Sequence, residues 1–434
     1  MKKQVDNAIQ SCLTKMSDIM TQTASKTENA ESRGFSSIAK SIYKLSSTDS
    51  ENPAISADLA GDSLEKVNYY IDLALNTFES IRAPIMNEEQ QTNFFFALSE
   101  TFETLGNYSG ALRNYTTLLS TVKNQKRRGQ IQYRIGRILA ERGEWEKAHE
   151  FLNGAIHSLQ SISSNRDIAL TQIELAKIAY RKGDYAKAQS LFQAALETSE
   201  IVDDTCSRAT VSNHLGIIRR IWGEYELAYN HFHEALIEFQ SIQDLRGAAE
   251  SMNNLGVVHL KRHELEQAKN YFEKSHQLCQ ETGYFALLAF IYLNKAEYYC
   301  ELGDGPMAAN ICHRALEYIV RLKNPIGIAK INMLFGRILW KSQDFKLAEE
   351  FYKTSMNMYE EFSIPLGLAN CYREYAQMQK ESGNVEESSK FNSKADAIYS
   401  KLGMEIGDRQ AEKSSGNRSE AKIIKSQNQM SVVN

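Results

Sequence analysis

A forty-residue repeat constrains the fold of this chain more than any other feature of its sequence. The stretch "KGDYAKAQSLFQAAL" at 182–196 is followed by "WGEYELAYNHFHEAL" at 222–236 and by "RHELEQAKNYFEKSH" at 262–276. A period of this length is typical of a supersecondary unit that cannot bury its apolar face alone and therefore stacks on its neighbours. The sequence predicts an array with one such unit for each repeat.

Small residues recur in register through the array. One column, taken in steps of forty, holds Ala148, Ala188, Ala228, Ala268, Ala308, Ala348 and Ser388. The positions seven after, twelve before and nineteen before each of these residues also hold Gly, Ala or Ser in every unit. Small side chains are needed where two helix backbones approach closely. The columns therefore predict helix pairs whose contact points repeat from unit to unit.

A further column marks a turn within each unit. Five residues before the small residues above stand Gly143, Gly183, Gly223, His263, Gly303, Gln343 and Gly383. Glycine tolerates the positive φ found at many helix ends. Apolar residues recur at spacings of three and four on both sides of this column, which indicates a helix before it and a helix after it. The predicted fold is all-α, a right-handed solenoid superhelix of stacked helix–turn–helix repeats.

The pattern resembles the tetratricopeptide repeat family. Besides the small residues, the resemblance rests on an aromatic residue four positions after the alanine, as in Tyr115, Phe192, Phe232, Phe272 and Tyr352. Most of that family has a period of about 34 residues. The longer period here is similar to that of bacterial peptide-sensing regulators and of animal cell-polarity adaptors. The resemblance covers about residues 87–402, and it implies the fold more strongly than any particular function.

The chain divides into four predicted segments. Residues 1–23 are expected to form an amphipathic N-terminal helix, and 24–86 a polar linker with a degenerate helical repeat. Residues 87–402 hold the array of about eight repeats, and 403–434 form a polar tail that is expected to be disordered. The N-terminal helix could cap the first repeat or bind another protein, and the sequence leaves both roles open.

Composition argues against several classes of protein. The net charge of −4 gives no support for bulk binding to nucleic acid. No apolar run approaches the roughly 18 residues of a membrane span. None of the six cysteines forms a CxxC pair, which favours a reducing, cytoplasmic location without a disulfide framework.

No motif in the sequence points to catalysis. There is no P-loop, GxGxxG, GxSxG or HExxH, so the chain is predicted not to be an enzyme and to hold no cofactor. His259 and His263 have a spacing that could offer two metal ligands. They are interpreted as solvated histidines near a helix end, and no metal site is predicted.

The candidate partner-binding residues come from the first helix of each unit. The family resemblance implies that positions 2, 5, 9, 12 and 13 of a unit line a concave groove. The candidates are Asn294, which stands at position 6, and twelve residues at these positions, namely Tyr133, Arg137, Lys177, Tyr180, Asn213, Arg220, Asn253, Lys330, Met333, Arg337, Trp340 and Arg373.

Basic side chains exceed acidic ones in this predicted lining. The ten basic residues are Arg137, Lys177, Arg181, Arg220, Lys261, Lys330, Arg337, Lys341, Arg373 and Lys380, and the five acidic residues are Glu141, Glu250, Glu297, Glu301 and Glu381. The excess favours an acidic or mixed peptide or helix as partner, held by arginine–carboxylate pairs. Charged side chains that merely solvate an exposed face would give the same excess.

The predicted function is a non-catalytic interaction scaffold or adaptor that binds a peptide or helical segment of another protein in the groove. Two alternatives stay open at this point. One is a peptide-responsive sensory or regulatory protein that acts through a partner. The other is a structural subunit of a larger assembly. The sequence indicates neither the partner nor the oligomeric state.

Overall fold

The structure, a computed structural model, describes residues 88–104, 108–282, 284–321 and 324–404. These residues form sixteen helices, with no strand among them. The predicted all-α fold of stacked helix pairs is therefore confirmed. The predicted N-terminal helix at 1–23, the segment 24–86 and the tail beyond Met404 lie outside the described residues.

The helices follow one another in eight consecutive pairs. In chain order they are α1 (Glu88–Thr104), α2 (Tyr108–Thr121), α3 (Gln125–Glu141), α4 (Trp145–Gln160), α5 (Asn165–Arg181), α6 (Tyr185–Ile201), α7 (Thr205–Ile221), α8 (Tyr225–Ser241), α9 (Leu245–Lys261), α10 (Leu265–Thr282), α11 (Phe285–Leu302), α12 (Gly305–Arg321), α13 (Pro325–Lys341), α14 (Phe345–Glu361), α15 (Pro365–Glu381) and α16 (Val385–Lys401). Contacts divide the chain into two compact units, with the boundary between Glu174 and Leu175, inside α5.

Unit one comprises the described residues up to Glu174. Within it α1 packs on α2, α2 on α3, and α3 on α4. Its core holds fully buried apolar side chains from all four helices, among them Phe94, Tyr115, Ile131 and Leu152. Each helix has one apolar stripe and buries it against the next, as expected for stacked helix pairs.

Unit two runs from Leu175 to the end of the described residues. The helices of each pair from α7–α8 to α15–α16 pack on each other, and each second helix packs on the next first helix. In addition, α7, α9, α11 and α13 each contact the first helix of the following pair. The aromatic residues that supported the family resemblance, Phe192, Phe232, Phe272 and Tyr352, are completely buried.

The small residues lie where they were predicted, at points of close approach. A β-carbon added at Gly216 would lie 2.7 Å from the ring of Phe232, and one at Gly256 would lie 2.6 Å from the ring of Phe272. Carbon atoms do not approach this closely in well-packed interiors. The glycines of α7 and α9 therefore make room for the aromatic residue on the partner helix of the same pair.

The turn column adopts the left-handed conformation at all seven of its positions. Its five glycines have φ between 78° and 91°, and the two other residues, His263 and Gln343, have φ of 59° and 68°. The backbone conformation is thus kept even where glycine is absent. A side chain in this region costs about 1–2 kcal/mol relative to the right-handed helix.

We expect the substitution Gln343→Gly to raise the free energy of unfolding by about 0.5–1 kcal/mol. Glycine removes the left-handed strain, and this gain is partly offset by the greater freedom of glycine in the unfolded chain. The reverse change, Gly143→Gln, should lower the free energy of unfolding by a similar amount. No atom lies within 4 Å of the β-carbon position of Gly143, so the left-handed backbone conformation alone determines the effect. The urea midpoints of the two variants, compared with that of the unmodified protein, measure these changes in stability. Midpoint shifts of the same sign would contradict the prediction.

One contact joins parts of unit two that are far apart in the sequence. The turn at Gly183, between α5 and α6, lies against the side chains of Leu402 and Pro365 at the two ends of the last helix pair. A β-carbon at Gly183 would be 3.1 Å from Leu402 and 3.5 Å from Pro365. Gly183 and Leu402 are both buried. Unit two therefore returns on itself five repeats after its first turn.

Among the described helices, none combines the length and the apolar character that crossing a bilayer would require.

Candidate functional site

The first helices of unit two form a continuous surface, which we call the first-helix face. It comprises the side chains of α7, α9, α11, α13 and α15 at the positions predicted to line the groove, together with Asn254 and Asn294 at position 6. The helices α7, α9 and α11 are joined there by asparagine pairs. The Asn254 amide donates a hydrogen bond to Asn213 over 3.1 Å, and the Asn294 amide donates one to Asn253 over 3.0 Å.

Each asparagine pair leaves hydrogen-bonding capacity unused. A primary amide carries two N–H donors and one carbonyl acceptor. In each pair one donor and one acceptor are used, so a further carbonyl and further N–H groups have no partner among the described residues. This holds in whichever orientation the amides are placed. The first-helix face therefore presents both donors and acceptors from α7 to α11.

Four of the thirteen candidate residues are largely covered. Asn213, Asn253, Met333 and Trp340 are each less than 9 % exposed. They lie in α7, α9 and α13, first helices that pack side by side with their neighbours, so a residue facing along the groove is covered by the next helix. Repeat spacing in the sequence does not reveal how closely consecutive first helices pack. The role of all thirteen in partner binding stays a prediction.

A cluster of charged residues lies further along the same face. Glu297 in α11 accepts hydrogen bonds from Lys261 over 2.7 Å and from Lys330 over 3.0 Å. Burial alone would raise the pKa of the Glu297 carboxyl, but Lys261, Lys330 and Arg337 together hold that pKa well below its usual value. Glu297 is therefore ionised at neutral pH and neutralises positive charge from both neighbouring first helices.

Most of the other candidate basic residues are also paired within the chain. Arg337 is bonded to Glu374, and Arg373 to Asp396. In unit one, Arg137 donates to Glu103 over 2.9 Å. Lys177 is half-buried and also has an interaction partner within the chain. Carboxylates therefore neutralise most of the basic excess that was counted from the sequence. Several of these carboxylates lie outside the counted positions.

The aromatic candidates are held by internal contacts to different degrees. In unit one, Tyr133 packs against Ala155, Leu159 and Ile168. In unit two, the Trp340 indole donates to Glu381 over 2.7 Å. Tyr180 is half-buried, and its ring centroid lies 5.5 Å from that of Tyr185. Tyr185, the first residue of α6, was not predicted, because only first-helix positions were considered.

Arg220 differs from the other candidate basic residues. It forms no ion pair with any residue that the structure describes, and its Nε atom is buried without a hydrogen-bond partner. It belongs to the last turn of α7, where the helix dipole favours a positive charge.

The interpretation of His259 as a solvated histidine is wrong. His259 is buried, its Nδ1 atom is bonded to Glu264, and its ring stacks on Tyr271 with centroids 5.2 Å apart. The turn after α9 brings Glu264 back over the histidine, which the spacing of the two histidines did not indicate. Within 88–404, apart from the short gaps in that range, no three ligand-type side chains converge in a way that could hold a metal ion.

The fold and the repeated contacts place the chain among helical-repeat proteins built from stacked helix pairs. Models of the tetratricopeptide repeat match residues 96–161, 167–236 and 207–281. These segments are tetratricopeptide repeats, and the resemblance drawn from the sequence is confirmed. No curated protein sequence matches the chain.

Several solved structures share this fold. A Rap protein complexed with Competence and Sporulation Factor is 13% identical, with a TM-score of 0.60, over 79% of this chain and 94% of that one. The apo quorum sensor NprR from B. thuringiensis is 15% identical, with a TM-score of 0.58, over 82% and 99%. The Rap conjugation gene regulator of plasmid pLS20, in complex with the Phr* peptide, is 15% identical, with a TM-score of 0.51, over 91% and 95%. Identities this low show a shared fold.

Proposed function

We propose that this chain is a non-catalytic protein that binds an extended peptide segment along the first-helix face of unit two. The observation that carries the proposal is the pair of asparagine contacts, Asn213–Asn254 and Asn253–Asn294, with their unused donors and acceptors. Two of the structurally similar proteins support it, since one is described as a quorum sensor and another is in complex with a peptide.

Amide side chains suit an extended backbone as ligand. Each peptide unit offers one N–H and one C=O, and an asparagine can pair with either. Such hydrogen bonds contribute about 0.5–1.5 kcal/mol each and are independent of the peptide's side chains. Selection among peptides would then come from the charged and aromatic residues beside the amides.

The contact between Gly183 and the last helix pair favours a regulatory role over a passive adaptor. The contact joins Gly183 to Leu402, and the helices of the first-helix face lie between these two residues in the sequence. A ligand on that face therefore binds to the part of the chain whose two ends are held together. If the ligand binds one spacing of the first helices better than another, it shifts the population toward that spacing. The chain would then respond to a peptide by changing a surface that a protein partner reads.

Replacing both Asn254 and Asn294 by leucine should weaken peptide binding at least tenfold. Leucine has nearly the same size but cannot hydrogen-bond, and two lost hydrogen bonds correspond to about 1–3 kcal/mol. The ligands for this test are octapeptides selected on the intact protein from a library of random sequence. Their dissociation constants are then measured by fluorescence anisotropy with synthetic labelled peptides.

Asn332→Leu provides the matched control. The Asn332 amide donates to the Ile328 carbonyl of its own helix α13 over 3.0 Å and joins no neighbouring first helix. We expect its affinity to stay within about twofold of the unmodified protein. Failure of the library to yield any peptide, or equal affinities for the double variant and the control, would contradict the proposal.

A further inference from the structure

Three polar side chains near one helix junction of unit two make no hydrogen bond or ion pair with any described residue. Tyr180 lies in the last turn of α5, Tyr185 begins α6, and Arg220 lies in the last turn of α7. Tyr180 and Arg220 occupy the same position in consecutive repeats, forty residues apart. The two tyrosine rings are tilted by 51° at a centroid distance of 5.5 Å.

Each polar group in this cluster can donate a hydrogen bond, and none has a partner among the described residues. Among the described residues, neither tyrosine hydroxyl makes a hydrogen bond, although Tyr185 is only 5 % exposed. The guanidinium of Arg220 has no carboxylate, and its Nε atom is buried and unpaired. Arg137, Arg337 and Arg373, by contrast, are each bonded to a carboxylate.

A buried donor without a partner, here the Nε–H group of Arg220, destabilises a folded protein, and natural structures contain few such groups. A cluster of donors that remains unpaired in the free protein is typical of a site completed by a ligand. The charge of Arg220 also acts on both tyrosines. Burial raises the pKa of both phenols and the Arg220 charge lowers it, so both hydroxyls stay protonated and able to donate at neutral pH.

The chemistry of these donors selects the ligand group. A guanidinium donates two parallel N–H groups to the two oxygens of a carboxylate, and phenols can donate to the remaining lone pairs. The single unpaired positive charge matches a single negative charge. A phosphate monoester carries about −1.5 to −2 charge and would remain partly unmatched.

We propose that Arg220, Tyr180 and Tyr185 bind a carboxylate of the peptide ligand. This inference rests on the proposed function and adds an anchor to it. The carboxylate belongs either to the C-terminus of the peptide or to an aspartate or glutamate side chain, and the test separates the two.

The test compares Arg220→Gln with Arg219→Gln, using the octapeptides selected on the unmodified protein. Arg220→Gln should weaken binding about tenfold or more, because a charge-assisted hydrogen-bonded pair is lost. Tyr180→Phe and Tyr185→Phe should each give a smaller loss. Arg219 lies in the same turn of α7, outside the groove positions, and is already paired with Glu224 over 2.7 Å, so Arg219→Gln should change affinity by less than about twofold.

Two modified peptides identify the carboxylate. One has its C-terminus amidated, and the other has its aspartate and glutamate residues replaced by asparagine and glutamine. One of these changes should weaken binding to the unmodified protein about tenfold and have no further effect on Arg220→Gln, as in a double-mutant cycle between interacting groups. Additive losses for both peptides would overturn the inference.

Thermal unfolding of the free protein separates a ligand anchor from a structural residue. Because Arg220 has no partner among the described residues, Arg220→Gln should lose only the small helix-dipole contribution and unfold within about 3 °C of the unmodified protein. A variant that unfolds at a much lower temperature and also loses affinity would overturn the inference. If peptides bind but Arg220→Gln keeps their affinity within twofold, this inference alone fails. If no peptide binds the unmodified protein, the proposed function fails with it.

Discussion

Replacing Glu297 by glutamine will destabilise unit two by about 2–3 kcal/mol. The carboxylate is buried and accepts hydrogen bonds from Lys261 and Lys330, which come from the first helices on either side. Glutamine keeps the shape and removes the charge, which leaves cations without a counter-charge. Breaking a buried ion pair costs about 3–5 kcal/mol, and the value is lower here because Lys261 is 40% exposed.

The control for this prediction is Glu301→Gln. Glu301 lies 3.7 Å from Arg337 and is 38% exposed, so its pairing is weak. Its loss should change stability by less than about 0.5 kcal/mol. Urea midpoints of the two variants, measured side by side, test the difference. Equal shifts of the two urea midpoints would show that burial does not determine how much Glu297 contributes to stability.

The effect of Glu297→Gln on stability should also depend on pH. Because the folded state lowers the pKa of Glu297 well below the value in the unfolded chain, ionised Glu297 stabilises the protein at neutral pH. That contribution is fully present above the unfolded pKa of about 4.3 and is lost as the pH falls toward the folded pKa. The stability difference between the unmodified protein and Glu297→Gln should therefore narrow below about pH 4.

Gly256→Val should lower the free energy of unfolding by about 3 kcal/mol. The new β-carbon would lie 2.6 Å from the Phe272 ring, and both atoms sit on helix faces that cannot separate without disturbing the neighbouring pairs. Overpacking of a filled core typically costs about 1–3 kcal/mol, and a ring held between helices gives the upper end. Loss of amide hydrogen-exchange protection in α9 and α10 would report the same event locally.

Gly154→Val is the matched control. Gly154 also lies within a helix, but its β-carbon would meet only the amide end of the Gln132 side chain, at 2.7 Å. That side chain can rotate away, and valine has a somewhat better helix propensity than glycine. We expect a change of less than about 1 kcal/mol. A comparable loss at both sites would mean that valine itself, and not the Phe272 contact, destabilises these helices.

The features that repeat could be predicted from the sequence. The small residue at Gly256 and the positive φ at His263 follow from columns that recur every forty residues, because the same local contact recurs in each repeat. The period of the sequence reflects contacts within a helix pair and between successive pairs. These contacts are confirmed in unit two.

The accessibility of the groove could not be predicted in this way. Whether Asn213 or Trp340 is open depends on how closely consecutive first helices pack, and many side chains decide this together. The ion pairs could not be predicted either. Arg337 and Arg373 are neutralised by Glu374 and Asp396, which lie outside the positions that were counted. Tyr185 was missed, although its separation from Tyr180 by one short turn already placed two aromatic residues at one helix junction.

The contact of Gly183 with Leu402 and Pro365 changes how unit two can come apart. In an array whose members touch only their neighbours, the end members open first and the rest follow in order. Here the last helix pair is held by the turn of a repeat far back in the chain, so opening the end also uncovers that turn. We therefore expect the two ends of unit two to open together, with the repeats between them unfolding as one cooperative block.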